Sequence, residues 1–324
     1  MRSFPLALTA LGAIPLILAL GAPAPQTLAK TQPATVNVAY AGSLEDVNNL
    51  AIGPAFEKAT GDTYLGEGGG SFGMAHEIES RTIQPNVFES IGYAPIQVIE
   101  PKDTDWAFSF AASPLVVAYN PHSPYASTLN AIRQGKKPLK DLFLLMAQPG
   151  FHLGRTNPNT DPQGQAFAMM VELAVRHYHL APDLVNKILG PLDNPHEVYS
   201  EEGILSLLQS GGLDASSAFL SEAVERHLDY IALPSWLDFA DPADNPVYRQ
   251  ASLTLSNREV VRGTALTVDI TTVGKPTPAA IAFIRFVLGP EGTALMKKDG
   301  YTVFKPQLEG SLSHVPPALR SYLH

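Results

Sequence analysis

Two serines, each set beside glycine at a strand-to-helix junction, are the residues best suited to hold a small anion. Ser43 lies in Ala41-Gly42-Ser43-Leu44. Ser71 follows Gly68-Gly69-Gly70 and precedes Phe72-Gly73. Backbone N–H groups at a helix start lack intrahelical partners and favour negative charge, and a serine hydroxyl adds a short donor. Glycines permit positive φ and close approach of a guest, so successive amides around Gly70 can form an anion-binding nest. The competing role for either serine is N-capping without ligand contact. The segment has neither the Gly-Lys-Ser/Thr ending of a nucleotide phosphate loop nor the spacing of a dinucleotide fingerprint. The pattern points to cradling a small anion, not to hydrolysing a nucleotide.

A third polar segment runs from Gly154 to Gly164 and contains Arg155, Asn157, Asn159, Thr160 and Asp161. Asp161 stands where it can cap the helix expected over 164–179, with Pro162 at the first helical position. Arg155 fits a structural role better than a ligand role, tying the loop through carboxylates and carbonyls. Asp161 would repel a bare anion unless it met a central metal within that anion. Catalytic patterns are weak: His177 and His179 do not share a helix face, and neither H-E-x-x-H nor G-x-S-x-G occurs. No cofactor or metal motif is present, and Met169-Met170 reads as core filling. For an organic ligand instead of an oxyanion, Tyr40, Phe72 and Tyr119 are the candidate linings.

The elements that must position these residues read as alternating strands and helices. Strands are expected at 35–41, 63–65, Val87–Ile91, Leu115–Tyr119, 230–233 and 260–270. Helices are expected at 74–82, 164–179, 201–210, 217–228 and 279–288, with a second helix after Gly289-Pro290 and, at the C-terminus, a surface tail, with a short docking helix in it as the alternative. This order favours open α/β sheets.

Composition narrows the setting. The start of the chain has Arg2, an uncharged apolar run over 4–20 and a small-residue exit, the parts of a secretory signal, with cleavage expected near Ala29. Cysteine is absent, which excludes disulfides, a thiolate nucleophile and lipid attachment through cysteine. Free residence in a bacterial periplasm follows as the expectation, with retention by an uncleaved signal as the alternative. The net charge of −9 and the lack of a Lys/Arg stripe argue against a nucleic-acid partner. The length remaining after a 1–29 signal segment suits two domains.

Across roughly 36–305 the chain resembles the periplasmic molybdate/tungstate-binding proteins of ABC importers, particularly their tungstate-binding branch. Ala41–Leu44 resembles the family's first ligand loop and Gly70-Ser71 its second. Asn157 to Gly164 resembles its N-P/D-P-x-G loop, and Leu213-Asp214, 230–234 and 288–292 continue the match in order. The resemblance implies a two-lobed α/β periplasmic binding protein fold with a central ligand cleft and two strand crossovers. Lobe 1 would hold 35–117 and 262–324, and lobe 2 would hold 118–261. It further implies capture of an oxyanion by lobe closure, delivery to a membrane-embedded ABC permease, a monomeric state and no enzymatic activity. Ser43, Ser71 with Gly70, and Asp161 carry over as ligand-binding positions.

Two departures stand out. The family's second carboxylate falls by ungapped match on Ala218, with Glu222 four residues late, and the family's hinge tyrosine falls on Arg262. With one carboxylate lost and a guanidinium gained, Arg262 is a candidate partner for the anion, a hinge-surface role being the alternative, and six-coordinate tungstate binding is expected to be absent. Sulfate, phosphate or a small organic ligand then become competitors to molybdate and tungstate. An exported hydrolase on the same architecture is the remaining alternative.

Overall fold

The structure is a computed structural model, and it describes Met1 and residues 33–323. The expected signal segment, apart from Met1, lies outside the described residues. Among the described residues no single helix is long and apolar enough to cross a membrane.

The chain from Pro33 onward forms a two-lobed α/β fold built on two mixed sheets. The first sheet has six strands in the order β12-β4-β11-β3-β1-β2. These are β1 (Thr35–Ala41), β2 (Thr63–Gly69), β3 (Val87–Ile91), β4 (Trp106–Ala112), β11 (Thr267–Thr272) and β12 (Thr302–Gly310). Strand β1 pairs in parallel with β2 on one side and β3 on the other, while β11 and β12 run antiparallel to their neighbours. The second sheet orders β6 (Leu153–Gly154), β7 (Ala215–Phe219), β5 (Leu115–Tyr119) and β8 (Asp229–Ala232). A separate ribbon joins β9 (Ser252–Thr254) to β10 (Val260–Arg262).

The chain crosses between sheets at Ser113-Pro114 and again over 263–266. Because β5 pairs with β7 and β8 along its length, residues 115–117 belong with the second sheet, not with the first lobe as expected. The single strand expected over 260–270 is two strands, β10 and β11, on opposite sides of the return crossover. Strand β7 occupies the start of the helix expected at 217–228, which is confined to Leu220–Glu225. Strands β4 and β12 were not expected at all. Every residue of β4, Trp-Ala-Phe-Ser-Phe-Ala-Ala, is buried, so no polar alternation marks it.

Packing follows strand periodicity. On β5, Leu115, Val117 and Tyr119 face the main core, while Val116 and Ala118 face a second cluster with Ile204, Leu208, Leu213 and Ala218. Beneath the Ser71–Glu79 helix, Met74, Ala75 and Ile78 pack on Ala39, Phe88 and Ala107 of the sheet. That helix is therefore clamped to the strand ends from which its first turn projects. The C-terminal segment takes the docking alternative, a short helix over Pro317–Leu323: Leu319 is buried, and the Tyr322 hydroxyl donates to the Arg285 carbonyl at 3.1 Å.

Candidate functional site

Ser43 and Ser71 follow paired strand ends, since Ala41 of β1 is registered with Gly69 of β2. Strand β1 sits where the parallel order reverses, with β2 to one side and β3 to the other, and such switch points open a crevice beyond the carboxyl ends of the strands. Ser43 lies in a single 3₁₀ turn, Gly42–Leu44, fixed by the Tyr301 hydroxyl donating to the Ser43 carbonyl at 2.8 Å. The Ser43 hydroxyl is buried and has no hydrogen-bond partner among the described residues. A buried hydroxyl so placed is costly unless it serves a guest.

Ser71 is the first residue of its helix, with Gly70 as the N-cap. Its oxygen accepts from the Ile91 N–H at 3.1 Å, which orients the hydroxyl and leaves its own proton to be donated. The positive-φ nest expected of the glycine run does not form. Gly68 and Gly69 belong to β2, and Gly70 has φ −55°. These positions need glycine for closeness instead. A Cβ at Gly68 would stand 2.4 Å from the buried Tyr40 ring, and one at Gly70 would stand 2.7 Å from the Thr160 carbonyl oxygen of the other lobe.

That second contact is where the lobes meet. The Thr160 carbonyl accepts from the Phe72 N–H at 3.1 Å and the Gly73 N–H at 3.4 Å, so two amides of the helix start hold the opposing loop. A methyl group there obstructs the approach. Gly70→Ala is expected to weaken oxyanion affinity about tenfold through incomplete closure, about 1.4 kcal/mol. Its melting temperature without ligand should change little. Small-angle scattering with saturating anion should give a larger radius of gyration for the variant than for the parent.

Across the cleft, Asp161 caps the Pro162–His177 helix by accepting from the Gln163 N–H at 2.7 Å, with Pro162 in the first turn. Gln163 then links two acids. Its side-chain amide donates to Glu222 at 3.0 Å and its carbonyl accepts from the Ser217 hydroxyl at 2.7 Å. Glu222 is buried and also accepts from the Phe219 N–H at 2.6 Å. Burial pushes its carboxyl up to about 7 against the help of these donors, and the negative field of Asp161 adds to the rise. Glu222 and Glu225 of lobe 2 line one small cavity with Gly42, Ser43, Glu45 and Asp46 of lobe 1 and with Arg226.

A carboxylate thus lines the cavity of Ser43 although Ala218 supplies none. Ala218 is on β7 facing the Ile204–Leu208 cluster, so a longer side chain there would enter the core and not the cleft. The acid instead comes from the third residue of the next helix. The available signal was the spacing Phe219-x-x-Glu222, in which a glutamate at the third helical position reaches back to the N-cap N–H.

Two other expected residues are elsewhere. Tyr119 is buried in the second lobe, its hydroxyl donating to Asn130 at 2.8 Å, so it does not line the cleft. Arg262 pairs with Ser252 across the β9–β10 ribbon and faces a different cavity from that of Ser43 and Glu222. Arg155 is buried and donates to the carbonyls of Leu189, Pro191 and Leu192 at 3.1–3.2 Å, the structural role expected.

The closed lobes are also joined by Arg226 and Asp46 at 3.2 Å. Glu225, next to Arg226, lines the same cavity, and burial, then the charges of Asp299, Asp46 and Glu222, push its carboxyl up to about 9. A folded-state value above the unfolded one means the neutral acid stabilises fully below about pH 4.5, and that contribution is lost as pH rises through 9. The melting temperature is expected to fall across this window, and Glu225→Gln should flatten the fall. An unchanged slope in the variant would refute the assignment.

The fold and the cleft define a solute-binding protein. The chain belongs to the family of bacterial extracellular solute-binding proteins, whose model matches residues 36–302. It is 30% identical over 331 residues to an uncharacterized solute-binding protein of Saccharolobus solfataricus, covering 91% of this chain and 77% of that one. A putative ABC transporter molybdenum-binding protein of Haloferax volcanii is 28% identical over 272 residues, covering 83% and 82%. Among solved structures, the periplasmic molybdate-binding protein of Azotobacter vinelandii superposes with a TM-score of 0.57 at 17% identity, covering 82% of this chain and 98% of that one. That last likeness is one of fold.

Proposed function

We propose that this protein is the exported, periplasmic receptor of an ABC importer for molybdate or tungstate. It would work as a monomer that closes on one anion and presents it to a membrane permease. The observation that carries the reading is Glu222, within the field of Asp161, lining one cavity with Ser43, whose buried hydroxyl has no hydrogen-bond partner among the described residues. Sulfate and phosphate keep four oxygens and their full charge, so two buried carboxylates repel them. Molybdenum(VI) and tungsten(VI) can expand from four to six oxygen ligands, and carboxylates then become bonding partners. In this reading Asp161 and Glu222 complete the metal's coordination, while Ser43 and Ser71 donate to the oxo groups. The relatives named for molybdenum or for molybdate and tungstate support the same class of ligand.

Isothermal titration of the purified protein with molybdate, tungstate, sulfate and phosphate tests this directly. Molybdate and tungstate are expected to bind at least 100-fold more tightly than the other two. Equal or tighter binding of sulfate or phosphate would overturn the reading.

A further inference from the structure

A second cavity, of about 490 Å³, opens between the lobes on the far side of the Thr160 contact. It is walled by Phe72, Tyr93 and other residues of the first lobe and by Asn159, Val260 and Arg262 of the second. Its size is that of a site for a small organic molecule, and far exceeds that of an inorganic oxyanion. The wall is mostly apolar, with two aromatic rings. Arg262 is an exposed residue of its wall and makes no ion pair or side-chain hydrogen bond among the described residues. Glu259 also lines this cavity and is within ion-pair distance of no cation among the described residues; its carboxylate accepts from Asn257 at 3.3 Å. A guanidinium without an ion-pair partner, set beside apolar and aromatic surface, is suited to bidentate pairing with a carboxylate on an apolar body.

We propose that this cavity is a second ligand site, which takes a small organic carboxylate with an aromatic or apolar body. Because its walls come from both lobes, the carboxylate binds the closed form preferentially. Anything else that binds the closed form is then coupled to it, by the same factor in each direction. The site itself does not depend on the oxyanion reading; only the coupling does.

The test uses the purified mature protein and benzoate as probe, with benzamide as its neutral counterpart, by isothermal titration with and without saturating molybdate. Benzoate is expected to bind saturably and at least about tenfold more tightly than benzamide. Molybdate is expected to tighten benzoate binding about fivefold or more, and benzoate to tighten molybdate binding equally. Arg262→Gln should weaken benzoate about tenfold and leave molybdate binding in the absence of benzoate unchanged. Val260→Glu, on an exposed side chain that folding tolerates, should do the same by placing a negative charge in the wall. Absence of saturable benzoate binding under both conditions, equal binding of benzamide, or indifference to both substitutions would overturn the proposal. If molybdate fails to bind while benzoate binds and responds to both variants, the second site stands and the oxyanion reading falls.

Discussion

Glu222→Gln is expected to lower molybdate and tungstate affinity by about 100-fold or more, near 2.8 kcal/mol, without unfolding the protein. The amide oxygen of glutamine can still accept from the Phe219 N–H and the Gln163 side chain, so both donors stay satisfied. On the proposed reading, what is lost is the negative oxygen that bonds an expanded metal centre. Titration by pH separates this from simple charge repulsion. With the parent carboxyl near 7, ligation strengthens as pH rises through 7, because the ionised form does the bonding. The variant should be flat over the same range. If a four-coordinate anion were bound instead, rising pH would place a charge beside it, the parent would weaken, and Glu222→Gln would bind more tightly. Stability gives an independent sign. The folded value lies above the unfolded one, so the neutral acid's contribution is full below about pH 4.5 and is lost through 7. The glutamine variant should therefore melt no lower than the parent at pH 8, which rules out unfolding as the cause of lost affinity.

Asp161→Asn carries the second large effect. Asparagine is as good an N-cap as aspartate, so the Pro162–His177 helix keeps its first-turn acceptor. The charge facing the cleft disappears, and affinity for molybdate and tungstate is expected to fall about 100-fold. Asp161→Ala should lose the same affinity and in addition about 1 kcal/mol of stability with the cap. A titration series with thermal melts distinguishes the two roles. If asparagine retains parental affinity, Asp161 is a cap and not a ligand. Glu222 should also titrate lower in the asparagine variant, because one source of its raised value is gone.

The pairing of these two acids is the point at which linear matching of residues failed. By ungapped comparison the cleft acid falls on Ala218, and its absence there suggested a different anion chemistry. Side chains alternate along β7, so position 218 points away from the cleft into the Val116–Ile204 cluster. A helix start supplies an alternative position from which a carboxylate can reach back to the strand end, and Glu222 uses it. Arg262 failed for a related reason. Its position near the return crossover suggested the hinge, but β10 belongs to a ribbon that carries it to the neighbouring cavity. A glycine run suggests freedom at positive φ, whereas the tertiary requirement is room for the Tyr40 ring and the Thr160 carbonyl.

Local chemistry was legible in advance. Serines after glycine at strand ends, Asp161 with Pro162 at a helix start, and strands Val87–Ile91 and Leu115–Tyr119 all follow from short-range rules that act within a few residues. Alternating strands and helices were enough to indicate an α/β fold, because periodicity is set by backbone geometry. The sequence by itself thus determined where single donors and caps stand. Only the tertiary structure decided which of them share a cavity. Gln163, which also holds Asp161, reaches Glu222 across 59 residues of chain, and Tyr301 holds Ser43 across 258. Such contacts depend on where two sheets and their crossovers bring remote segments, which no local pattern encodes.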